Sequence, residues 1–413
     1  MLKLFKQNKM FRILLTYQIF SGLGGGMFSL FMLLSMHLIH RNSMFTGITG
    51  FLMAAPHIFS FAVGPVVDRR NKITIMRLTT FLEFVVLALL AFTPLQEYLG
   101  VMFMFAVVFT YSIANLFEAP AGTAFLPQIV KEEEIMEANS LISIASLTGG
   151  VAIGAILFTS LAGEINFRFL YGFSALFLAL AFLFSLFLNN AATKESTDKV
   201  ASNYLQDLKE GAKFLKRSVL LYITIAVVAM SFAGEITYVN RPLFLEYHVG
   251  GQGYVLFTLA SLVGGVAASY FVGIMGKKFK LGKLIFVLLV FTSAVRITFA
   301  LVVPTQYIGG LIAMAVYSAI ATAVSIIFGS MNQKIPSNDM VGRIDTMTST
   351  FTAIAATFGA LAGGFIGSIV QDAGRIFIFQ GASYVVIGVL LMFVPSIRKL
   401  PKMNDIKKAE SEE

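Results

Sequence analysis

Twelve apolar stretches, each long enough to cross a lipid bilayer as a helix, dominate this sequence and limit what it can fold into. A helix needs about 20 apolar residues to span the hydrocarbon core. Backbone polar groups inside a bilayer are satisfied only in helices or closed barrels, and runs this long lack the alternation of barrel strands. The sequence therefore predicts an all-α membrane protein with twelve transmembrane helices. The predicted spans are 11–38, 44–67, 73–93, 98–119, 137–162, 167–190, 218–240, 252–275, 283–303, 305–330, 345–371 and 374–396.

The basic residues fall mainly on one side of these spans. With the N-terminus placed in the cytoplasm, 26 of the 31 Lys and Arg residues lie on the cytoplasmic side, in loops or at the cytoplasmic ends of spans. Arg41, Arg168, Arg241 and Arg375 face outside, and Arg296 lies within a span. This asymmetry follows the positive-inside rule and predicts a multi-pass protein of a bacterial inner (cytoplasmic) membrane, with both termini cytoplasmic. The net charge of +9 is then a consequence of topology, and no nucleic-acid partner is expected.

One long polar connection separates six predicted spans from six. Its latter part, YLQDLKEGAKFL, has helical spacing and is expected to lie along the membrane surface. The predicted domains are an N-terminal six-helix bundle (1–190), a cytoplasmic linker (191–217), a C-terminal six-helix bundle (218–396) and a cytoplasmic tail (397–413).

The two bundles are related by an ungapped offset of 209 residues, which predicts pseudo-symmetry between them. Duplicated six-helix halves joined by a cytoplasmic linker are the architecture of a rocking secondary transporter, with the substrate between the halves. The matching pairs are Gly25 with Gly234, Gly64 with Gly273, Pro127 with Pro336, Gly150 with Gly359, and Gly154 with Gly363.

The segment GPVVDRRNK concentrates charge between predicted spans two and three. It resembles the signature G-x3-D-R-x-G-R-[KR] of the major facilitator superfamily. Gly64, Asp68 and Arg69 match it, and Lys72 replaces an Arg. Asn71 replaces the usual Gly, and both residue types tolerate left-handed backbone. The resemblance covers both halves at the level of the fold and implies a transporter.

The resemblance also implies a latch at this turn. Asp68 is expected to approach the N-terminus of predicted span eleven near Arg343, where the helix dipole is positive. Lys72 or Arg69 is expected to pair with Glu118 at the end of predicted span four. The residues alone leave a second interpretation open, in which the charges serve only as a topology signal.

A second segment, NLFEAPAGTAFLPQIVKEEEIMEANSLIS (115–143), is similar to the PA-x3-A-x-x-P-x-[LI]-V…AN[SA]L pattern of the macrolide-efflux and enterobactin-exporter branch of drug:proton antiporters. The resemblance implies export of amphiphilic, drug-like small molecules by proton antiport with alternating access. Two antiporter features are missing. Gly150-x3-Gly154 is followed by Ala155 instead of Pro, and predicted span four lacks the usual Arg. Proton coupling therefore does not follow from the motifs.

Charged side chains inside a span are costly and mark functional sites. Glu83, Glu235 and Arg296 are the three that stand out. His57 and Glu83 are equidistant from the tip of their hairpin, which predicts either a neutral hydrogen bond or a titrating pair. Glu235 lies in predicted span seven, which the resemblance makes a cavity-lining helix, so it is the first candidate for proton coupling and Glu83 the second. The alternatives for Glu235 are a static pair with Arg296 or a position at the membrane interface.

The remaining expectations concern the ligand and the class of protein. The expected partners are a small-molecule substrate, protons and the lipid bilayer, and the protein is expected to be a monomer. The chain has no cysteine and no nucleotide-binding or metal motif, so neither a cofactor nor a metal is predicted. Alternatives are a dedicated exporter of one metabolite such as a siderophore or, in a different class, an integral-membrane enzyme or sensor. The candidates for polar contacts in the substrate cavity are Tyr17, Gln18, Tyr111, Asn115, Tyr238 and Asn240.

Overall fold

The regular structure of the described residues is entirely helical. The computed structural model describes residues 8–131, 134, 138, 142, 153, 166–189, 204–337, 340–370 and 372–406. The helices, numbered in chain order, are α1 (Lys9–His40), α2 (Ser43–Ala54), α3 (Ser60–Arg69), α4 (Lys72–Phe92), α5 (Leu95–Leu99), α6 (Val101–Ile129), α7 (Phe167–Leu186), α8 (Tyr204–Arg217), α9 (Leu220–Lys278), α10 (Leu281–Val302), α11 (Tyr307–Lys334), α12 (Val341–Ile369), α13 (Gly374–Phe393) and α14 (Pro395–Arg398). Two short 3-10 segments are Ala55–Phe59 and Met403–Asp405.

Ten helical stretches in the described part of the chain are long and apolar enough to cross a membrane. One of them is interrupted, because α9 leaves helical geometry at Gly250, where φ is 72° and ψ is 174°. A straight helix of 59 residues would be about 90 Å long, roughly three times the hydrocarbon thickness. We therefore count α9 as two spans that meet at Gly250. Within predicted span 137–162 the structure describes only residues 138, 142 and 153, so this span, with Gly150 and Gly154, remains a prediction.

Three asparagines set where helices of the first half begin. The side-chain oxygen of Asn8 accepts from the amide of Phe11, and that of Asn166 accepts from the amide of Arg168. Asn71 accepts from the amides of Ile73 and Thr74, at 3.0 and 3.3 Å. Each side chain satisfies amides that have no partner within the helix, which is the role of an N-cap residue.

Two of the sequence-based span boundaries were wrong. Span four was expected to end near 119, but α6 continues through Pro120 and Pro127 to Ile129. Span seven was expected to end near 240, but helix continues through Pro242 to the break at Gly250. A proline costs only the hydrogen bond of its missing N–H and a local kink, which transmembrane helices tolerate.

The first compact unit comprises Met1–Arg41 and Leu52–Asp198. Within it, α7 packs against α1 and α4, and α4 packs against α6. Gly24 allows the α1–α7 contact, because a Cβ atom at that position would lie 2.9 Å from the carbonyl oxygen of Ser174. Large apolar side chains such as Phe11 and Phe125 fill the core of this unit.

The second compact unit comprises Asn42–Phe51 and Lys199–Glu413. Within it, α9 packs against α11 and α12, and α10 packs against α11 and α13. Two glycines four residues apart form a small-x3-small face on α12: a Cβ atom on Gly359 would lie 2.6 Å from the carbonyl oxygen of Phe232, and one on Gly363 would lie 2.8 Å from Cα of Ile236. Such close approach lets neighbouring transmembrane helices make extensive van der Waals contact.

The helix boundaries support the 209-residue repeat. Helix α4 begins at Lys72 and α10 at Leu281, a difference of 209 residues. Helices α6 and α11, and α7 and α13, begin at positions that agree with this offset to within three residues. The domain boundaries at 190 and 218 remain predictions.

Candidate functional site

A cluster of buried polar groups joins α1, α4 and α6 within the first unit. The hydroxyl of Tyr17 lies 2.8 Å from Oγ1 of Thr80 and donates to Oε1 of Glu118. The hydroxyl of Ser21, one turn along α1 from Tyr17, donates to the same carboxylate oxygen at 2.7 Å. Tyr17 is completely buried, and Glu118 is 4% exposed. Glu118 therefore lies inside the helix bundle and is held by two hydroxyl donors.

The carboxyl group of Glu83 completes this cluster, and it does not contact His57. Glu83 is completely buried, and neither of its oxygens meets a donor among the described residues. The carboxyl group of Glu118 is close enough to act on it electrostatically. The expected Glu83–His57 bond is thus wrong. Equal depth does not determine which face a side chain occupies, and His57 lies in the 3-10 segment that changes the helical phase between α2 and α3.

The structure also corrects the expected pairing of Glu118 with Lys72. Because α6 continues to Ile129, Glu118 lies about three turns before the end of the helix. Lys72 is the first residue of α4 and lies about 16 Å along the helix axis from Glu83, which faces Glu118. A lysine side chain cannot cover that distance, so Glu118 does not pair with Lys72. The alternative pairing with Arg69, whose side chain lies outside the described residues, remains a prediction.

The turn that carries the charged segment is structured by Asn71. Its φ of −66° and ψ of 116° are extended, so the left-handed backbone that Asn and Gly both tolerate is not used at this position. Asn71 instead caps α4, as described above. Backbone of Gly64, Asp68 and Arg69 belongs to α3, but their side chains lie outside what the structure describes. The contact predicted for Asp68 therefore remains a prediction.

The arginine expected beside Asp68 forms an ion pair in the second unit. Arg343, in the first turn of α12, pairs with Glu210 of the linker helix α8. A Cβ atom on Gly211 would lie 2.8 Å from the sulfur of Met347, so α8 lies directly against α12 at this point. The linker thus contains a helix, as the spacing of YLQDLKEGAKFL indicates, and it docks on the start of α12.

Arg296 occupies a buried, largely aromatic pocket of the second unit. Its side chain is 2% exposed, and Nε donates to Oε1 of Gln380 at 2.6 Å. The guanidinium lies 4.2 Å from the ring centre of Tyr317 and 4.6 Å from that of Phe377. Cation–π contacts of this kind stabilise a desolvated guanidinium. Arg296 is therefore partnered by Gln380 and rings, and the alternative of a pair with Glu235 is wrong.

Glu235 lies on α9 where that helix meets α12. Its side chain is partly exposed, and its Cβ atom would be 3.1 Å from a Cβ atom placed on Gly359. The cation that acts on it electrostatically is Arg241, whose guanidinium lies 5.1 Å from the ring centre of Tyr238. Glu235 thus belongs to a small group of charged and aromatic side chains on one helix and remains accessible.

The six cavity candidates divide into buried structural groups and accessible ones. Tyr17 is held in the acidic cluster, and Asn240 is completely buried. Tyr111 is buried against Phe28, with ring centres 4.4 Å apart. Partly exposed side chains belong to Gln18, Asn115 and Tyr238. The last three remain candidates for contact with a ligand, whereas the structure gives the first three a role in packing.

Sequence reasoning missed several polar residues that complete these sites. Ser21 and Thr80 were not singled out, although Ser21 lies four residues after Tyr17 and Thr80 three before Glu83, spacings that share one face of a helix. Gln380 was missed as well. The signal that could have found it is a single amide side chain in the apolar run RIFIFQGASYVV.

Comparison with protein families identifies the fold. The model described as Major Facilitator Superfamily matches residues 14–344, which is most of the chain. The chain therefore belongs to this superfamily, and it is a multi-pass membrane transporter with a helical fold and not an enzyme. This confirms the expectation drawn from the charged segment at residues 64–72.

Two curated relatives from Bacillus subtilis (strain 168) are similar in sequence. The protein named "Putative bacilysin exporter BacE" is 23% identical over 316 residues, covering 74% of this chain and 76% of the relative. The "Uncharacterized MFS-type transporter YjbB" is 28% identical over 160 residues, covering 37% of this chain and 39% of the relative. The first of these matches extends across most of both proteins.

Solved transporter structures share the fold. The nucleoside transporter NupG has a TM-score of 0.75 at 12% identity, with 95% of this chain and 99% of NupG covered. A D-xylose-proton symporter has a TM-score of 0.73 at 12% identity, with 97% and 99% covered. At this level of identity the similarity establishes the fold only.

Proposed function

We propose that this member of the superfamily exports amphiphilic small molecules in exchange for protons, by alternating access. The observation that carries export is the similarity to a relative named as an exporter over about three quarters of both chains. The resemblance of residues 115–143 to the macrolide-efflux and enterobactin-exporter branch favours the same direction of transport.

Glu235 is the group proposed to carry the coupling proton. It is a carboxylate within a membrane-spanning stretch, and its side chain is partly exposed. Such a group can exchange a proton with water in one access state and be desolvated in another. Arg241 is the cation that acts on it, so a movement that changes the Glu235–Arg241 distance would change proton occupancy. Gln18, Asn115 and Tyr238 are the proposed polar contacts for the substrate.

The proposed setting is a bacterial cytoplasmic membrane with both termini in the cytoplasm. The distribution of 26 of 31 basic residues on one side of the predicted spans supports this orientation. The protein is proposed to work as a monomer, because an alternating-access transporter of this kind contains both halves in one chain.

A dedicated exporter of one metabolite is the second candidate function. It is favoured by the name of the Bacillus subtilis relative, which specifies a single compound, bacilysin. The two candidates differ in breadth of substrate and not in mechanism, so one set of assays distinguishes them.

The test is an efflux panel in a strain that lacks its own pumps. Cells expressing the chain should accumulate less of several chemically unrelated amphiphilic compounds than cells with the empty vector, and an uncoupler should abolish the difference. Resistance to bacilysin alone would favour the dedicated exporter. Unchanged accumulation of every compound, with the protein present in the membrane, would refute export.

Reconstitution provides the second arm of the test. Purified protein in liposomes should move a substrate of the panel against its gradient when a proton gradient is applied. Transport that proceeds downhill only, with no response to the proton gradient, would refute antiport and leave the transporter assignment intact.

A further inference from the structure

Two buried carboxyl groups face each other in the first unit, and the transport proposal does not account for them both. Glu83 lies near the middle of α4, and Glu118 lies on the neighbouring helix α6. They are 0% and 4% exposed, and each is close enough to act on the other electrostatically. Thr80, one turn before Glu83, lies 2.8 Å from the Tyr17 hydroxyl that donates to Glu118. Glu83 has both oxygens buried without a donor among the described residues, although buried polar groups are nearly always hydrogen-bonded.

No cation compensates this pair among the described residues. Arg77, the basic residue one and a half turns before Glu83 on α4, donates to the carbonyl oxygens of residues 185, 186 and 188. On α7, which packs against both α1 and α4, the titratable side chains are Arg168 in the first turn and Tyr171, whose hydroxyl bonds to Ser35. The charge of the carboxylates is therefore not neutralised by a neighbouring Lys, Arg or His in the described part of this unit.

The tyrosine hydroxyls are the other titratable groups that face the pair. Tyr17 donates to Glu118 from α1, and Tyr111 lies on α6 close enough for both carboxylates to act on it electrostatically. Neither phenol can supply positive charge. Two neighbouring carboxylates that were both ionised would repel each other strongly in a low-dielectric environment. Since ionised carboxylates are acceptors only, a bond between them requires a proton.

The hydrogen bonds indicate which of the two carboxyl groups carries that proton. Glu118 accepts from Tyr17 and from Ser21 at 2.7 Å, and such donors stabilise the charged form of a carboxylate. Glu83 has no donor in the described part of the chain, so the neutral form is the one these surroundings favour. A protonated Glu83 that donates to ionised Glu118 satisfies both groups at once.

We propose that Glu83 and Glu118 form a proton-binding site that holds one shared proton, carried by Glu83, with Tyr17 as the positioning residue on α1. Tyr17 also contacts Thr80 of α4 at 2.8 Å, so one hydroxyl connects all three helices. A shift of α1 that withdraws Tyr17 and Ser21 removes the donors of Glu118, and the pair then takes up a second proton from water. Only this link to movement rests on the proposed transport function.

Infrared difference spectroscopy of the purified full chain in lipid nanodiscs tests the shared proton directly. At neutral pH the carbonyl stretch of one protonated buried carboxyl group is expected in the wild type. It should disappear in Glu83→Gln, in which the glutamine amide donates to ionised Glu118. It should persist in Glu118→Gln, in which Glu83 stays buried and neutral. A band that survives in Glu83→Gln, or that is lost only in Glu118→Gln, would overturn the proposal.

A second variant tests the role of Tyr17 and covers the case in which the glutamine variants fail to fold. Tyr17→Phe should roughly double the band amplitude at mildly acidic pH, because Glu118 has lost a donor and takes up its own proton. The matched control is Tyr171→Phe, which removes a buried hydroxyl bonded to Ser35 and leaves the acidic pair untouched. Equal spectra for the two phenylalanine variants would contradict the positioning role.

These measurements need no substrate, which separates this proposal from the transport function. Loss of the band in Glu83→Gln alongside a chain that moves no solute in liposomes would support the proton site and refute the exporter. Uncoupler-sensitive transport by a wild-type protein that shows no buried carboxyl band would refute the proton site and support the exporter.

Discussion

The side-chain amide of Asn240 on α9 donates to the backbone carbonyl of Gly363 on α12 at 2.7 Å. The same nitrogen donates to the carbonyl of Ile236, one turn back, at 2.8 Å. The contact depends on glycine, since a Cβ atom on Gly363 would lie 2.8 Å from Cα of Ile236. Asn240 therefore joins the two helices at a point where their backbones approach closely, and its amide nitrogen has no capacity left for a ligand.

Asn240→Ala is expected to destabilise the α9–α12 contact without removing a substrate contact. Interhelical hydrogen bonds in membranes contribute about 1 kcal/mol on average, so the variant should lose monodispersity at a temperature a few degrees lower. Size-exclusion profiles after heating in detergent measure this. The control is Asn115→Ala, which removes the same side chain at a partly exposed position on α6. An equal loss of stability in both variants would contradict the structural role of Asn240.

Gln380 is expected to matter because it is the hydrogen-bond acceptor of Arg296. Gln380→Leu leaves a guanidinium at 2% exposure without that acceptor, at an expected cost of about 2–3 kcal/mol. The double variant Arg296→Met/Gln380→Leu removes the buried charge as well and should be more stable than Gln380→Leu alone. Gln18→Leu is the control for changing a partly exposed glutamine. If the losses of stability in Arg296→Met and Gln380→Leu simply add up in the double variant, the two side chains are not energetically coupled and the prediction is wrong.

Much of the fold follows from the sequence, because hydrophobic length alone specifies where a helix can cross a bilayer. The start of α4 at Lys72 and of α10 at Leu281 was predictable from the charged turns and the 209-residue repeat. The caps were also readable, since Asn71 precedes an apolar run. The ends of α6 and of the first span of α9 were less predictable. There, prolines and charged residues suggested breaks that internal hydrogen bonding overcomes.

The sites were harder to predict than the helices. Sequence gives the depth of a residue along its span but not the face on which it lies. Glu83 was correctly recognised as exceptional, yet its neighbour proved to be Glu118 and not His57, because a 3-10 segment changes the helical phase before α3. Similarly, a pair of Arg296 with Glu235 was one alternative, whereas the partner that Arg296 has in the structure is Gln380, 84 residues further along the chain. No short-range pattern indicates such a contact.

Asp68→Asn is expected to impair transport while leaving folding nearly intact. The family resemblance implies that Asp68 holds one access state closed, so its removal should shift the balance between inward- and outward-open states. The measurement is export of a panel substrate, normalised to protein in the membrane. Asp405→Asn changes an exposed carboxylate near the C-terminus and serves as the control. Export by Asp68→Asn at the wild-type rate would leave the charged turn with a role in topology only.

Glu235→Gln is expected to abolish uphill, uncoupler-sensitive efflux and to leave downhill substrate exchange. A coupled exchanger needs a group that is protonated in one access state and ionised in the other, and Glu235 combines a position within a membrane-spanning stretch with a partly exposed side chain. Glutamine preserves the shape of the side chain but cannot release a proton. Asp345→Asn, an exposed carboxylate on α12, should leave coupling unchanged.

Substrate-induced proton movement in liposomes decides between Glu235 and the acidic pair. Glu83 and Glu118 can take up a second proton only when α1 withdraws its hydroxyl donors, whereas Glu235 requires a change near Arg241. If Glu235 carries the coupling proton, the signal disappears in Glu235→Gln and survives in Glu118→Gln. If the signal survives in Glu235→Gln and disappears in Glu118→Gln, the coupling proton belongs to the first unit. In that case the movement of α1 relative to Glu118 would link proton uptake to the exchange.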